Sequence, residues 1–219
     1  YHGSTYFTSS LGHDNFMDHP FYTLDSSHSV KQLSRDFNEQ DVDWSEIAAF
    51  VLESCPYGAV MEPPSKEFWA KLDRIRKEHD VLIIIDDIFM GGGKTGTYFG
   101  WQNMNIEPDI ATMGKAITGG FFPLSMWLYN KKIKESLPKD FDWQHGFTYC
   151  FSLPGIASAT KYLEIIERDC ILDNHHKIVE RATSIINECG FNIRYQHGVH
   201  FKIFDDNQKH FYVLPINAT

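Results

Sequence analysis

At 219 residues, with 42% hydrophobic and 22% charged side chains, the chain reads as an ordinary globular protein, long enough for one large domain or one and a half ordinary ones. Its formal charge of −9 argues against nucleic acid or an anionic membrane as the main partner. The longest apolar runs, around residues 81–85 and 121–128, are far too short to cross a bilayer.

Cys55, Cys150, Cys170 and Cys189 are scattered, with no CxxC pair. They are read as packing residues in a reducing compartment, so a cytoplasmic location is expected and a disulfide framework is not. The paired His175-His176 and the His197-x-x-His200 spacing lack a Cys or acid that would complete a ligand set, so no metal site is expected. The first residue is Tyr1, not Met, and the last residues follow a strand-like run at 211–214, so a piece of a longer protein is expected.

Taken in order, residues 1–30 are rich in His, Ser, Thr, Gly and aromatics without a sustained period, and read as loop. Tyr1 and His2, followed by Gly3, are candidates to line a cofactor pocket, although such a run alone is more often a turn. Asp43 to Glu46 is a plausible helix start. Residues 48–52 then read as a buried strand that ends at an acid, Glu53.

After Ser65, the spacing of Phe68, Leu72 and Ile75 predicts an amphipathic crossover helix. The β-branched run 81–85 follows and stops at Asp86-Asp87. Strand, helix and strand form a βαβ unit, which predicts a parallel sheet. The GGGKTG run at 91–96 resembles a phosphate loop, but Ile88 stands where that motif needs its first Gly and no long apolar helix follows. A flexible loop over the sheet edge is the preferred reading.

Residues 109–113 read as a short strand ending at Gly114-Lys115, and residues 122–129 as the next strand. Residues 130–147 are mixed and polar. Helical spacing predicts helices from about 155 to 168 and from about 174 to 189, the second closed by Gly190. Residues 191–195 and 199–204 read as antiparallel strands of a smaller α+β unit. The expected division is a large domain, 1–155, and a small one, 156–219.

Ligands of open α/β sheets sit at the carboxyl ends of the strands, so Asp86 and Lys115 are expected to face one ligand. A lysine beside a carboxylate suits an enzyme that holds an aldehyde cofactor as an imine. For pyridoxal phosphate the requirements are a lysine amine, a carboxylate on the pyridine nitrogen, groups sandwiching the ring and a phosphate ligand. Lys115, Asp86, Ile88 with Tyr1, and Thr148 are the candidates.

The chain resembles the class III aminotransferases, which include acetylornithine, ornithine and ω-amino acid aminotransferases and glutamate-1-semialdehyde aminomutase. YHG at residues 1–3, the strand-end Glu53, PPSKEFWAKLDRIRKEHDVLIIIDD, the GGGKTG loop, EPDIATMGKAITGG with PLS, and HGFTY occur in that family's order. The resemblance implies an α/β type I pyridoxal-phosphate transferase fold with a mostly parallel sheet in the large domain. It also implies pyridoxal 5'-phosphate as cofactor, an amino donor and a keto acid or aldehyde acceptor as substrates, and a homodimer.

Under this resemblance Lys115 is the imine lysine, Asp86 the partner of the pyridine nitrogen, and Ile88 and Tyr1 the residues on the two ring faces. Thr148 is the phosphate ligand reaching the neighbouring subunit's cofactor, and Glu53 is a pocket acid. Three positions depart from the family's usual pattern: Ser54 replaces Pro, Asp87 replaces Glu and Lys94 replaces Arg. A fourth departure is Pro154, which falls one residue late relative to Thr148. Two other readings stand beside the aminotransferase: an aminomutase with the same cofactor, and a non-catalytic or nucleotide-binding protein that uses residues 91–95.

Overall fold

The structure, a computed structural model, describes residues 37–55, 63–141, 148–207 and 209–213. Two compact units divide between Asp43 and Trp44. In the first, the described part holds a single 3-10 turn, Glu39–Asp41. Its first turn is held by Asn38, whose side-chain oxygen accepts from the Gln40 N–H at 3.3 Å.

The second unit begins with another 3-10 turn, Trp44–Glu46, so the helix start expected there extends no further. Strand β1 (Ala49–Glu53) is followed by helix α1 (Lys66–His79) and strand β2 (Leu82–Asp86). Ser65 starts the helix by accepting the Phe68 N–H on its hydroxyl at 3.1 Å, and Asp80 stops it in the left-handed region at φ 55°. Trp69, Leu72 and Ile75 are its buried stripe.

β1 and β2 pair in parallel, in register from Ala49↔Leu82 to Glu53↔Asp86, as the βαβ pattern predicts. Strand β3 (Ile110–Met113) adds a second parallel neighbour. Strand β4 (Met126–Tyr129) closes the order β1-β2-β3-β4 as an antiparallel edge. It is shorter than the predicted 122–129. The Thr118 hydroxyl donates to the Phe122 carbonyl at 2.7 Å, and Pro123 has no N–H to offer a ladder.

Asp109 locks the amino end of β3. Buried at 3% exposure, its carboxylate accepts the Ile83 N–H at 2.8 Å and the Asn130 side-chain N–H at 2.9 Å. Asn130 also caps helix α2 (Lys131–Ser136), a short element inside a stretch with no apolar period to reveal it.

Helices α3 (Leu153–Arg168) and α4 (His175–Glu188) fall close to their predicted positions. Ala159 of α3 packs with Met113 and Ile117, with Phe99, Leu124 and Met126 around them, so α3 braces the turn that carries Lys115. Strands β5 (Asn192–His197), β6 (His200–Phe204) and β7 (His210–Val213) form a separate antiparallel sheet. Its core is Ile186, Phe201 and Ile203, with Val179 and Ala182 of α4 against it.

Two local expectations are corrected. Cys55 is buried, but Cys150, Cys170 and Cys189 are exposed and do not serve packing. The glycine loop does not float over a sheet edge either: Gly91 and Gly100 are buried, and a methyl added at Gly91 would stand 2.8 Å from the Asp87 carbonyl. Among the described residues, no helix is long and apolar enough to cross a membrane.

Candidate active site

The paired acids after β2 have opposite fates, because successive residues of an extended chain face opposite sides. Asp86 lies in a row across three strands, in register with Glu53 on β1 and Thr112 on β3. Its carboxylate accepts the Ile88 N–H at 3.1 Å and the Thr112 hydroxyl at 3.2 Å. These two bonds fix one oxygen and hold the carboxylate at the sheet's carboxyl end.

Asp87 turns the other way and is fully buried. It accepts the Ser54 hydroxyl on one oxygen and the Gly100 N–H on the other, each at 2.8 Å. Burial pushes its carboxyl up to about 6, against the two hydrogen bonds and the Lys94 charge, which pull it down, while Asp86 adds to the rise. Asp87 is a structural acid holding β1, β2 and the loop at Gly100 together.

Lys115 begins the 3-10 turn Lys115–Thr118, three residues beyond Thr112. The pairing of β2 with β3 therefore puts its Cα within about 15 Å of Asp86. Its φ of 47° is a left-handed conformation that costs a non-glycine residue on the order of 1 kcal/mol. Such strain is kept where the surrounding fold over-determines it, and here Ile117, buried in the α3 cluster, anchors the turn. The Lys115 ammonium is 4.9 Å from the centroid of the Phe89 ring and has no ion pair among the described residues.

Phe89 holds a second lysine. The Lys94 ammonium is 4.7 Å from the same centroid. Burial and the Lys115 charge lower Lys94 to about 8, with Asp87 opposing. Ser54, Asp87 and Lys94, three departures from the expected pattern, thus belong to one cluster: the shorter Asp87 reaches the Ser54 hydroxyl and feels the Lys94 charge.

Of the sequence-based candidates, the strand pairing brings Asp86, Glu53 and Lys115 to one end of one sheet. Glu53 is half-buried there. Ile88 joins them by its N–H bond to Asp86 and lies against Gly114, where an added methyl would be 3.4 Å from its side chain. Thr148 is exposed in the turn before α3 and makes no hydrogen bond to this group among the described residues. Tyr1 and His2 lie outside the described residues. Thr112 and Phe89 escaped the sequence reading. Thr112 had a signal, since a hydroxyl one strand over from a strand-end acid is a ready donor; Phe89 had none.

A mostly parallel sheet with a carboxylate at the end of one strand and, just beyond the next, a lysine with no ion pair among the described residues defines an α/β fold, the class in which ligands sit at the strands' carboxyl ends. The family model described as "Aminotransferase class-III" matches residues 1–193, and the chain belongs to the class III aminotransferase family, whose members are typically pyridoxal-phosphate-dependent enzymes. It is similar to an uncharacterised aminotransferase of Sinorhizobium fredii, 33% identical over 136 residues, 60% of this chain and 29% of that protein. It is also similar to gamma aminobutyrate transaminase 2 of Solanum lycopersicum, 28% identical over 204 residues, 81% of this chain and 44% of that protein. The crystal structure of the acetylornithine aminotransferase from Elizabethkingia anophelis superposes with a TM-score of 0.65 at 25% identity, over 75% of this chain and 43% of that one. The chain therefore spans less than half the length of these relatives.

Proposed function

We propose that the protein is a pyridoxal-phosphate-dependent aminotransferase, moving an amino group between an amino donor and a keto acid or aldehyde. The observation that carries this reading is the placement of Asp86 and Lys115 at the carboxyl ends of the adjacent parallel strands β2 and β3. The residues present fit the cofactor chemically. An amine without an ion pair among the described residues suits an aldehyde, and a carboxylate held on one oxygen by Thr112 and Ile88 has its other oxygen to offer a pyridinium N–H. When bound, the cofactor supplies the electron sink that acidifies the substrate's amino-bearing carbon.

The chain's own residues do the rest. With the cofactor bound, Lys115 would hold it through its aldehyde carbon, and its amine would carry the proton between the substrate's amino-bearing carbon and that cofactor carbon. Asp86 keeps the ring nitrogen protonated. Ile88 is the residue proposed for one ring face; the resemblance offers Tyr1 for the other and His2 as a further cofactor-binding candidate, both outside the described residues. Glu53, in register with Asp86, is the acid of the pocket wall. Thr148 donates its hydroxyl to the phosphate of a neighbouring subunit in a homodimer.

Large apolar side chains around Thr148 support that last assignment. Tyr149 is 90% exposed, Phe151 88% and Leu153 78%, a surface that a second copy would cover. In the same reading, the β1–β4 sheet belongs to a cofactor-binding domain ending near residue 155, and residues 156–219 belong to a smaller one.

The test is spectroscopic. Protein loaded with pyridoxal phosphate is reduced with borohydride and digested, and the pyridoxyl label is expected on the Lys115 peptide. Lys115→Ala is expected to lose the visible band of the lysine-linked cofactor. A label on another lysine, or an unchanged band in Lys115→Ala, would sink the assignment.

A further inference from the structure

Phe89 gathers two lysines that have no ion pair among the described residues. The Lys115 ammonium is 4.9 Å from the centroid of the ring and the Lys94 ammonium 4.7 Å from the same point, so the two charges lie within about 10 Å of each other. Lys115 is exposed, whereas Lys94 is half-buried.

The backbone brings Lys94 to that ring. Its carbonyl accepts from the Val199 N–H at 2.9 Å and from His175 Nε2 at 3.0 Å, which ties it to the β5–β6 turn and to α4. Gly198, at φ 59°, comes so near that a methyl there would collide with the Lys94 carbonyl. His200 of β6 packs on the Phe89 ring, with centroids 4.7 Å apart. The small sheet thus fixes the glycine loop and delivers its lysine to the ring that Lys115 also meets.

Amine chemistry says what such a pairing can do. To join an aldehyde, an ammonium first releases one proton to solvent. The freed lone pair then forms the C–N bond, and the carbonyl oxygen leaves as water with the two remaining nitrogen protons. Only the neutral amine reacts, and a neighbouring cation favours it by opposing the charged form. Burial and the Lys115 charge bring Lys94 down to about 8, with Asp87 opposing. Repulsion between two cations is mutual, so the charge that Lys94 still carries at neutral pH acts back on Lys115. The other titratable groups around Lys94 are Asp87 at the end of β2, raised to about 6 and mostly charged near pH 7, and His200 of β6, which burial lowers to about 3 and keeps neutral. On the Lys115 side the strand row carries Asp86 and Glu53.

We infer that Lys94 is a positioning residue for Lys115: held at the Phe89 ring, its charge opposes the ammonium form of Lys115 and favours the amine that bonds to an aldehyde carbon. This role rests on the reading of Lys115 as the lysine that takes the aldehyde, and it requires no contact of Lys94 with cofactor or substrate.

Reductive methylation of the cofactor-free protein with formaldehyde and cyanoborohydride tests this, the initial rate at Lys115 being read by peptide mass spectrometry against the exposed Lys139. Near pH 7, Lys94→Met is expected to slow Lys115 about three- to tenfold relative to Lys139, the size of a screened repulsion at this distance. Lys94→Arg keeps a charge and is expected to restore the parent rate. The gap between the parent and Lys94→Met should close above about pH 9, as Lys94 loses its own charge, while Lys94→Arg stays ahead. Equal Lys115 rates in the parent and Lys94→Met near pH 7, a gap that does not narrow with pH, or a Lys94→Arg rate as low as that of Lys94→Met overturns the role of Lys94. No pyridoxal phosphate is present, so that failure is separate from the borohydride mapping: a pyridoxyl label away from Lys115 overturns the reading on which the role rests.

Discussion

Replacing Asp87 by Asn isolates the free energy stored in a buried charge. The Asp87 carboxyl is raised from 3.8 to about 6, chiefly by burial. A carboxyl raised in this way contributes stability that is fully present below its unfolded value and is lost as the pH climbs through its folded value. The displacement corresponds to about 3 kcal/mol lost between roughly pH 4 and pH 7. Asparagine mimics the protonated acid: its oxygen can accept from the Gly100 N–H while its amide donates to the Ser54 oxygen, the reverse of the present Ser54 bond at 2.8 Å. Asp87→Asn is therefore expected to match the parent near pH 4 and to exceed it by up to about 3 kcal/mol at pH 7.5. For a chain of this size that is a rise of about 6–12 °C in melting temperature. Urea denaturation of both proteins without cofactor from pH 4 to 8 measures the difference. A difference that stays flat, or a variant that loses ground as the pH rises, would show that Ser54, Gly100 and Lys94 outweigh burial and that the charged carboxylate is stabilising.

Lys94→Met tests the opposite case. A lysine lowered to about 8 costs stability while it is charged, so the variant is expected to gain about 1–2 kcal/mol near pH 7, after allowance for partial exposure, and to lose that advantage above pH 10; pH-resolved melting checks this. Gly100→Ala would put a methyl 2.6 Å from the Met90 Cβ and 2.7 Å from the Asp87 carboxylate, and is expected to cost about 1–3 kcal/mol in a chemical melt. Asp109→Ala leaves the Ile83 N–H and the Asn130 amide without their acceptor and is expected to cost about 2–4 kcal/mol, whereas an exposed control such as Lys139→Ala should cost less than about 0.5 kcal/mol.

Local pattern alone was enough for the frame around the site. The 81–85 run, Ser65 with its helical stripe, and the short strand before Lys115 each carry a period or a cap within a dozen residues, and those signals survive folding because they are made of nearest-neighbour chemistry. The strand-end positions of Asp86 and Lys115 were legible for the same reason: each marks the abrupt end of an apolar run. Tertiary contact decided the remainder. Nothing in the dipeptide Asp86-Asp87 says which acid faces the strand row and which is buried; the pleat, the register Glu53↔Asp86 and the arrival of Ser54 and Gly100 from elsewhere in the chain settle that. Phe89 becomes a platform for two lysines only because the glycine loop folds back over it, and three of the four cysteines lie exposed because packing, not residue type, sets burial.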